Sequence, residues 1–249
     1  MLTCSPSIFL LVFAWPAHAL LSRNSTGVNS KCAPTDNQDD CEALVALFKA
    51  TGSVLPWADG TPLCHWQDLG HNDPVACDAK THRVTVVYLT NSGAKPAGLK
   101  SGFIPTEIGK LTGLRTLGLY NTSLTGTLPT EIGQLTSLES MFLGDNSLTD
   151  SIPTEFGKLT KLQSMTIPNA GLSGVIPTEI GQMKSLVELI IPENELSGVV
   201  PDELCELISS QKTSWADCSI QANHFECPLP ACAKEGQTPV AACQSVFCK

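Results

Sequence analysis

Long apolar runs, runs of like charge and Pro- or Gly-rich linkers are all absent from this chain of 249 residues. After the N-terminus, no segment approaches the roughly 18 apolar residues that a membrane span requires, and no apolar tail signals a lipid anchor. The formal net charge is −9. An acidic chain does not favour nucleic acid or an anionic membrane surface, because both attract basic faces. We therefore expect no nucleic-acid partner and no membrane span.

Sequence motifs for catalysis and metal binding are missing as well. The chain contains no nucleophile elbow, phosphate loop or Cys-x-x-Cys pair. Glutamate recurs every 24 residues, at Glu107, Glu131, Glu155, Glu179 and Glu203. A constant spacing of this kind indicates a structural repeat, whose convex side would carry these carboxylates in one column. Acid–base catalysis instead requires two carboxylates that flank a substrate. We predict a protein that is not an enzyme and that has no metal site and no cofactor.

The N-terminus has the pattern of a secretory signal peptide, which we assign to residues 1–19. Ile8–Trp15 is a short apolar run, and Ala17-His18-Ala19 forms a cleavage site of small residues. The alternative is a buried first strand. Asn24 and Asn121 each begin a glycosylation sequon. These features predict a secreted glycoprotein, located outside the cell or in the cell wall.

One motif recurs every 24 residues through the middle of the chain. Ile-Pro-Thr-Glu-Ile-Gly, or a close variant, begins at Ile104, Leu128, Ile152 and Ile176, and a degraded copy begins at Val200. Leucines at fixed steps complete the pattern L-x-x-L-x-x-L-x-L-x-x-N-x-L-x-G-x-I-P. This period and pattern are the signature of leucine-rich repeats, in which each unit forms one coil of a solenoid.

The pattern predicts the structure of a single coil. Alternating Leu117 and Leu119 indicate a short strand with two inward side chains, and such strands stack in parallel. A proline such as Pro129 begins a short helical turn, and we expect the following glycine, such as Gly133, to end it. The predicted fold is an α/β solenoid, a right-handed stack with a parallel concave sheet and short helical turns on its convex side.

An asparagine position after the strand is expected to bond the backbone of the turn. Asn146 and Asn194 occupy it in two coils, whereas Thr122 and Ala170 replace it in two others. The sequence therefore predicts that the turns at Thr122 and Ala170 are held less tightly.

Cysteine is absent between Arg83 and Glu203 and concentrated in both flanks. After the signal segment the chain contains Cys32, Cys41, Cys64, Cys77, Cys205, Cys218, Cys227, Cys232, Cys243 and Cys248. An even number in a secreted chain predicts disulfides. An open stack exposes its terminal strands and needs caps, which the disulfides would stabilise. We expect the pairs Cys32–Cys41 and Cys64–Cys77, and the pairing of the last six cysteines stays open.

These patterns divide the chain into four parts. The predicted signal peptide is followed by an N-terminal cap at 20–83 and by repeats at 84–206. A final repeat and a cysteine-rich C-terminal cap occupy 207–249. Val84 and Leu89 fit the strand of a first coil, and Cys218 and Ile220 fit the strand of a last one.

The chain resembles secreted, plant-type extracellular leucine-rich repeat proteins, such as polygalacturonase-inhibiting proteins and receptor-kinase ectodomains. The resemblance rests on Leu-x-Gly-x-Ile-Pro in the coils, on the helical segment Ala43–Lys49, and on the closing motif from Asn223 to Cys232. The stack is shorter than in those proteins, and its C-terminal cap resembles small secreted repeat proteins of algae and microbes. The resemblance implies a scaffold that binds macromolecules on its concave face, in defence, enzyme inhibition or signalling.

The outward positions of the predicted strands form the candidate partner-binding surface. Its residues are Tyr88, Tyr120, Phe142, Thr166, Ile190, Glu139, Asp145, Glu188 and Glu193. Exposed aromatic residues flanked by charge are frequent in binding sites. The alternative interpretation is that these positions simply tolerate exposure, which is common for apolar residues. The expected partner is an extracellular protein or a polysaccharide-associated one.

Two other functions are compatible with the repeats. A ladder of threonines on the convex side would suit an ice or mineral surface: Thr106, Thr130, Thr154 and Thr178. The adjacent glutamates would hold water and disfavour this use. A structural role in the cell wall is the third alternative.

We predict that all ten cysteines of the mature protein are oxidised. Thiol counting on the denatured, unreduced protein should detect no free thiol. Several free thiols would contradict the disulfide assignment, and metal binding by cysteine would then be the alternative interpretation.

Overall fold

A computed structural model describes residues 32–33, 35–52, 64, 75–90, 102–210 and 217–226. Some predictions lie outside these residues. They are the signal peptide, the Asn24 sequon, the side chain of Cys205, and Cys227, Cys232, Cys243 and Cys248. No helix in the described part is long and apolar enough to cross a membrane.

Short strands and short helical turns alternate along the chain. In chain order the strands are β1 (Val75–Cys77), β2 (Val84–Thr90), β3 (Thr116–Tyr120), β4 (Thr125–Thr127), β5 (Ser140–Phe142), β6 (Ser147–Thr149), β7 (Ser164–Thr166), β8 (Ser173–Gly174), β9 (Glu188–Ile190), β10 (Glu195–Gly198), β11 (Asp217–Ser219) and β12 (His224–Phe225). The helices are α1 (Gln38–Ala50) and α2 (Asp202–Ser210), and the 3-10 turns are Thr106–Lys110, Thr130–Gln134, Thr154–Lys158 and Thr178–Gln182. The degraded fifth copy of the motif thus begins an α-helix instead of a 3-10 turn.

The main sheet confirms the predicted parallel stack of coils. Its strand order is β1-β2-β3-β5-β7-β9-β11, and all its neighbours are parallel except β1 and β2. The antiparallel edge strand β1 belongs to the N-terminal flank and was not expected. Two smaller parallel sheets, β12-β10-β8 and β4-β6, consist of the strands that follow those of the main sheet along each coil. Glycines with positive φ, such as Gly174 and Gly198, lie in these strands.

A continuous apolar core runs through all the coils. Leu117, Leu119 and Leu143 are fully buried, as the alternation predicts. Leu89 of the first coil is also fully buried, and Ile220 of the last coil is 3% exposed. Since one coil cannot bury its own leucines, the stack is the unit that excludes water.

The N-terminal cap joins the first coil through an ion pair between buried Asp40 and half-buried Arg83. Asn37 caps α1 by accepting the Asp40 N–H. The buried Asp40 carboxylate accepts bonds from Arg83 Nε and Nη2, each at 2.8 Å, and from the Val84 N–H at 2.8 Å. Removing one member of such a buried pair strands a charge, so this contact fixes the helix to β2.

The predicted disulfides of the N-terminal cap are confirmed. Cys32 bonds Cys41 at the start of α1, and Cys64 bonds Cys77 at the end of β1. Cys218 of the last coil is also disulfide-bonded. The disulfides seen in the described residues therefore lie in the flanks, where little core is available to hold the chain.

The prediction of loosely held turns at Thr122 is wrong, because Asn146 of the next coil bonds that turn. Asn146 Oδ1 accepts the N–H groups of Thr122 and Leu124 at 3.1 and 3.0 Å. Its Nδ2 donates to Leu119 O at 2.8 Å and to Leu143 O of its own coil at 2.8 Å. One asparagine therefore serves two coils.

The same arrangement corrects the prediction for the turn at Ala170. Asn194 Oδ1 accepts the N–H groups of Ala170 and Leu172, each at 3.1 Å. Asn223 in turn donates to Ile191 O of the preceding coil at 3.0 Å. A coil without asparagine at this position is therefore held by the asparagine of the following coil.

The glycines of the 3-10 turns do not end them, contrary to expectation. Gly133 and Gly157 are buried at the fourth position of five-residue turns. A Cβ on Gly133 would lie 2.5 Å from Glu155 O, and one on Gly157 would lie 2.7 Å from Glu179 O. Glycine is required here because the backbone of the next coil passes too closely for a side chain.

Replacing the bridging asparagine should destabilise the stack. We expect Asn146→Ala to lower the free energy of unfolding by about 3 kcal/mol, because it leaves several backbone groups of two coils without partners. Urea unfolding followed by circular dichroism would measure the change. Gln163→Ala, at an exposed position, is the control and should stay within about 0.5 kcal/mol of the wild type. Equal effects of the two substitutions would contradict the bridging role.

A candidate partner-binding surface on the concave sheet

The register of the sheet aligns one predicted column of outward residues. Tyr88 pairs laterally with Gly118, which pairs with Phe142, then with Thr166 and Ile190. These positions alternate with buried apolar residues along the strands, so they lie on the outer face of the sheet. Tyr88 is exposed, Phe142, Thr166 and Ile190 are half-buried, and Gly118 is buried. The concave face therefore carries a row of five outward residues, one from each of five coils, and two of these residues are aromatic.

Two aromatic rings meet across a glycine in this row. The rings of Tyr88 and Phe142 lie edge to face, with centroids 6.5 Å apart. A Cβ on Gly118 would lie 2.1 Å from the Tyr88 ring, so the absence of a side chain there lets the ring lie across β3. Tyr88 is 44% exposed. The pair therefore presents the exposed Tyr88 ring against a half-buried Phe142 ring, at a centroid distance favoured for aromatic contacts.

Tyr120 does not join this pair and bonds a carboxylate instead. Its hydroxyl donates to Asp145 Oδ2, and Asn169 Nδ2 donates to Asp145 Oδ1 at 2.9 Å. The bond to Asp145 raises the pKa of Tyr120. The same bond, followed by that from Asn169, lowers the pKa of Asp145. Asp145 therefore carries its charge on the surface, and the Tyr120 ring is fixed beside it.

A row of left-handed residues follows the strands. Asn121, Asp145, Asn169 and Glu193 have φ between 46° and 57°, a conformation that Asn and Asp tolerate best. Each donates its N–H to the next coil, as Asn121 does to Gly144 O at 2.9 Å. Asn121 is exposed, so its sequon lies at the margin of the concave face beside Tyr120.

The acidic residues of the predicted surface fall into two groups. Glu139 lies 3.8 Å from Arg115 (Oε1 to Nη1), so a cation already accompanies it. Glu188 accepts a bond from Ser164 Oγ, and Glu193 is exposed. Within the described ranges, no Lys or Arg forms an ion pair with Asp145, Glu188 or Glu193. Negative charge therefore prevails toward the C-terminal coils.

Sequence reasoning missed the residues that hold these side chains in place. Asn169 holds Asp145, and Ser164 holds Glu188, each across 24 residues. The repeat period itself was the available signal, because residues one period apart are lateral neighbours. Gly118 gave no comparable signal, since only the position of the Tyr88 ring explains it.

The convex threonines form the predicted ladder, but carboxylates occupy it too. The four hydroxyls are exposed, and each Oγ1 lies 3.3–3.4 Å from the Oε2 of the following glutamate. Carboxylates bind water strongly. The ladder therefore presents alternating hydroxyl and carboxylate groups.

An open groove of about 1370 Å³ lies away from the concave face, between α1 and the first coils. Val45, Phe103, Pro105 and Pro129 are among its lining residues, and Phe103 is 54% exposed.

In the part of the chain that the structure describes, no three His, Cys, Asp or Glu side chains are grouped so that they could hold a metal ion.

Comparison with known proteins gives a sequence match and a set of structural similarities. The family model for a leucine-rich repeat region matches residues 88–209. No curated protein sequence matches this one significantly.

Among solved structures, a plant ice-binding protein is 27% identical over 79% of this chain and 58% of its own, with a TM-score of 0.64. The ectodomain of the Arabidopsis thaliana receptor kinase GASSHO1/SCHENGEN3, solved with CASPARIAN STRIP INTEGRITY FACTOR 2, is 31% identical with a TM-score of 0.60. That match covers 76% of this chain and 22% of the ectodomain. The chain therefore spans less than two thirds of either protein.

The Arabidopsis thaliana BIR2 ectodomain matches at nearly its full length. It covers 84% of this chain and 99% of its own, with a TM-score of 0.62. At 23% identity this similarity concerns the fold alone.

The Tyr120–Asp145 contact predicts an elevated phenol pKa that can be measured directly. The chain has two tyrosines, so Tyr88→Phe leaves Tyr120 as the single phenol. Its phenolate absorbance should develop at a pH above the ordinary tyrosine range of about 10. Adding Asp145→Asn should lower the pKa, because the neighbouring negative charge no longer opposes ionisation. An unchanged pKa in the double variant would show that the contact does not form in solution.

Proposed function

We propose that this chain, of which residues 88–209 match a leucine-rich repeat region, is a secreted, plant-type binding module that recognises an extracellular protein on its concave face. The observation that carries this proposal is the edge-to-face Tyr88–Phe142 pair on the concave sheet, in which Tyr88 is 44% exposed. Exposed aromatic anchors with a polar surround are typical of protein-binding surfaces. In this proposal the protein binds its partner and catalyses no reaction.

The comparison with receptor ectodomains supports the choice of partner. The GASSHO1/SCHENGEN3 ectodomain was solved in complex with CASPARIAN STRIP INTEGRITY FACTOR 2, so a related stack binds a partner. The present chain has a shorter stack. Its partner would contact about five coils, which suits a free inhibitor, a co-receptor or a defence protein.

An extracellular location is part of the proposal. Disulfides such as Cys32–Cys41 and Cys64–Cys77 persist in oxidising compartments and are rare in reducing ones. The exposed Asn121 sequon is accessible to glycosylation. A glycan on Asn121 would crowd Tyr120 and one margin of the face, which leaves Phe142, Thr166 and Ile190 for the partner.

Ice binding is the second candidate, and the similarity to a plant ice-binding protein favours it. The convex ladder is the surface first considered for it, but the carboxylates beside each threonine oppose close contact with ice. A thermal-hysteresis assay on the purified protein separates the two candidates. Hysteresis that Thr130→Val and Thr154→Val abolish would support the ladder.

Truncating the concave anchors should weaken binding to the native partner. A pull-down from the extracellular fraction identifies the partner, and a titration then compares variants. Phe142→Ala combined with Ile190→Ala should cost about 2 kcal/mol or more, roughly thirty-fold in Kd.

Asn121→Gln is the control and should bind like the wild type, because it changes only the margin of the face. Circular dichroism and thermal unfolding verify that each variant is folded. If the double variant binds normally while changes in the C-terminal cap abolish binding, the flanks carry the function and the proposal fails.

A further inference from the structure

The groove between α1 and the first coils has two walls that close contacts hold together. Lys110 Nζ lies 2.7 Å from Glu42 Oε2, which joins the first 3-10 turn to the helix. At the C-terminal end of the helix, a Cβ on Gly102 would lie 2.2 Å from Ala50 O, so the backbones of the helix and the first coil are in direct contact. The walls are therefore fixed relative to each other, and a partner would meet a groove that is already formed.

Phe103 supplies an exposed aromatic surface in this groove. It is 54% exposed, although its neighbours Gly102 and Ile104 are buried. The next two coils carry the small polar residues Thr127 and Ser151 at the same position, so the fold does not require an aromatic ring there. Aromatic residues are enriched in protein-binding surfaces. An exposed ring that the core does not use therefore indicates a contact with a partner.

Other apolar residues line the groove on both walls. Half-buried Val45 and Ala46 line it from α1, and Pro105 and Pro129 line it from the coils. Together with Phe103 they form an apolar surface that an aliphatic or aromatic side chain of a partner can cover. Covering this surface would remove apolar area from water and favour association.

The charged residues of the groove are mostly acidic. Its lining contains four carboxylates and two ammonium groups, those of Glu42, Glu107, Glu131, Asp150, Lys49 and Lys110. Lys110 already pairs with Glu42. Within the described residues, no Lys or Arg forms an ion pair with Glu107, Glu131 or Asp150. Three carboxylates therefore lack a cation, whereas Lys49 is the single cation that could oppose them.

Glu107 and Glu131 are close enough to act on one cation. They occupy the same position in the adjacent turns Thr106–Lys110 and Thr130–Gln134. A Cβ on Gly109 would lie 2.9 Å from Glu131 Cβ, so Glu131 lies against the turn that carries Glu107. One Lys or Arg side chain of a partner can therefore lie between the two carboxylates.

Charge also decides which partner the groove suits. The chain has a formal net charge of −9, so a second copy of it would be repelled. An acidic polysaccharide would be repelled for the same reason. A basic protein segment is attracted both by the chain as a whole and by the carboxylates of the groove.

We propose that the groove between α1 and the first coils binds a protein segment in which an apolar side chain lies close to Lys or Arg. The apolar side chain covers Phe103, and the basic one lies between Glu107 and Glu131. The site lies away from the concave surface of the proposed function, and it gives the protein a second point of contact.

Selection from a displayed library of random peptides tests this assignment on the full mature protein. Peptides that wild type and Val199→Thr retain and that Phe103→Thr releases identify the groove. These peptides should contain an aromatic or aliphatic residue close in sequence to Lys or Arg, and acidic peptides should be depleted. The most enriched peptide is then synthesised with a fluorophore for titration.

The two threonine variants are matched in position and exposure. Threonine is compatible with the fold at Phe103, because Thr127 occupies the same position in the next coil. Val199 occupies that position in a later coil, is 55% exposed and lies outside the groove. A difference between the variants therefore reports a contact in the groove and not a general loss of exposed apolar surface.

Matched charge variants locate the basic contact. Glu107→Gln with Glu131→Gln should raise the Kd of the peptide about ten-fold and flatten its dependence on salt, because two carboxylates become neutral without a change in shape. Glu155→Gln with Glu179→Gln removes the same charge from the next two turns of the same column, outside the groove. This control should change the Kd less than about two-fold, which separates local contact from net charge.

Three results would overturn the assignment. If no peptide depends on Phe103, the groove is not a binding site for a protein segment. Selected peptides without Lys or Arg, or equal effects of the two glutamate pairs, would exclude the basic contact. Analytical ultracentrifugation should find wild type and Phe103→Thr monomeric, and a wild-type dimer that Phe103→Thr dissociates would make a second copy the occupant.

Discussion

Each coil of this solenoid completes the hydrogen bonding of its neighbour, and every other feature depends on that lateral pairing. A short strand and a turn leave many N–H and C=O groups without partners inside one coil, and burying such groups unpaired is costly. Asn146 and Asn194 reach backward and satisfy the turns of the preceding coils. The same contacts fix the coil separation, which in turn requires glycine at Gly133, where the next backbone passes.

The regular spacing makes the concave face a surface whose composition can vary freely. Inward positions are fixed by the apolar core, whereas outward positions on the strands contribute little to it. Tyr88 can therefore lie over Gly118 and meet Phe142 without disturbing the stack. Residues one repeat apart become neighbours, so a hydroxyl from Ser164 can hold Glu188. A rigid sheet with replaceable outward residues is well suited to binding, because little ordering is needed on association.

The ends of the stack show the limit of lateral pairing. The first coil has no preceding neighbour, so α1 covers it, and the ion pair of buried Asp40 with Arg83 joins helix and strand. Antiparallel β1, of three residues, forms the edge of the main sheet, and so short an edge strand offers little backbone for pairing with other chains. Disulfides at Cys32–Cys41 and Cys64–Cys77 add constraint where the core is thin.

The sequence by itself determined the period, the inward leucines and the parallel stack, because each depends on spacing along one coil. The N-terminal disulfides were predictable from the concentration of cysteine in the flanks. It also identified the outward column, since residues one repeat apart must be lateral neighbours. The tertiary structure alone decided how adjacent coils share groups. Asn146 serves the turn of Thr122, Gly133 makes room for Glu155, and Tyr120 turns away from the other aromatic rings to Asp145. These contacts depend on the distance between coils, which no pattern within a single repeat specifies.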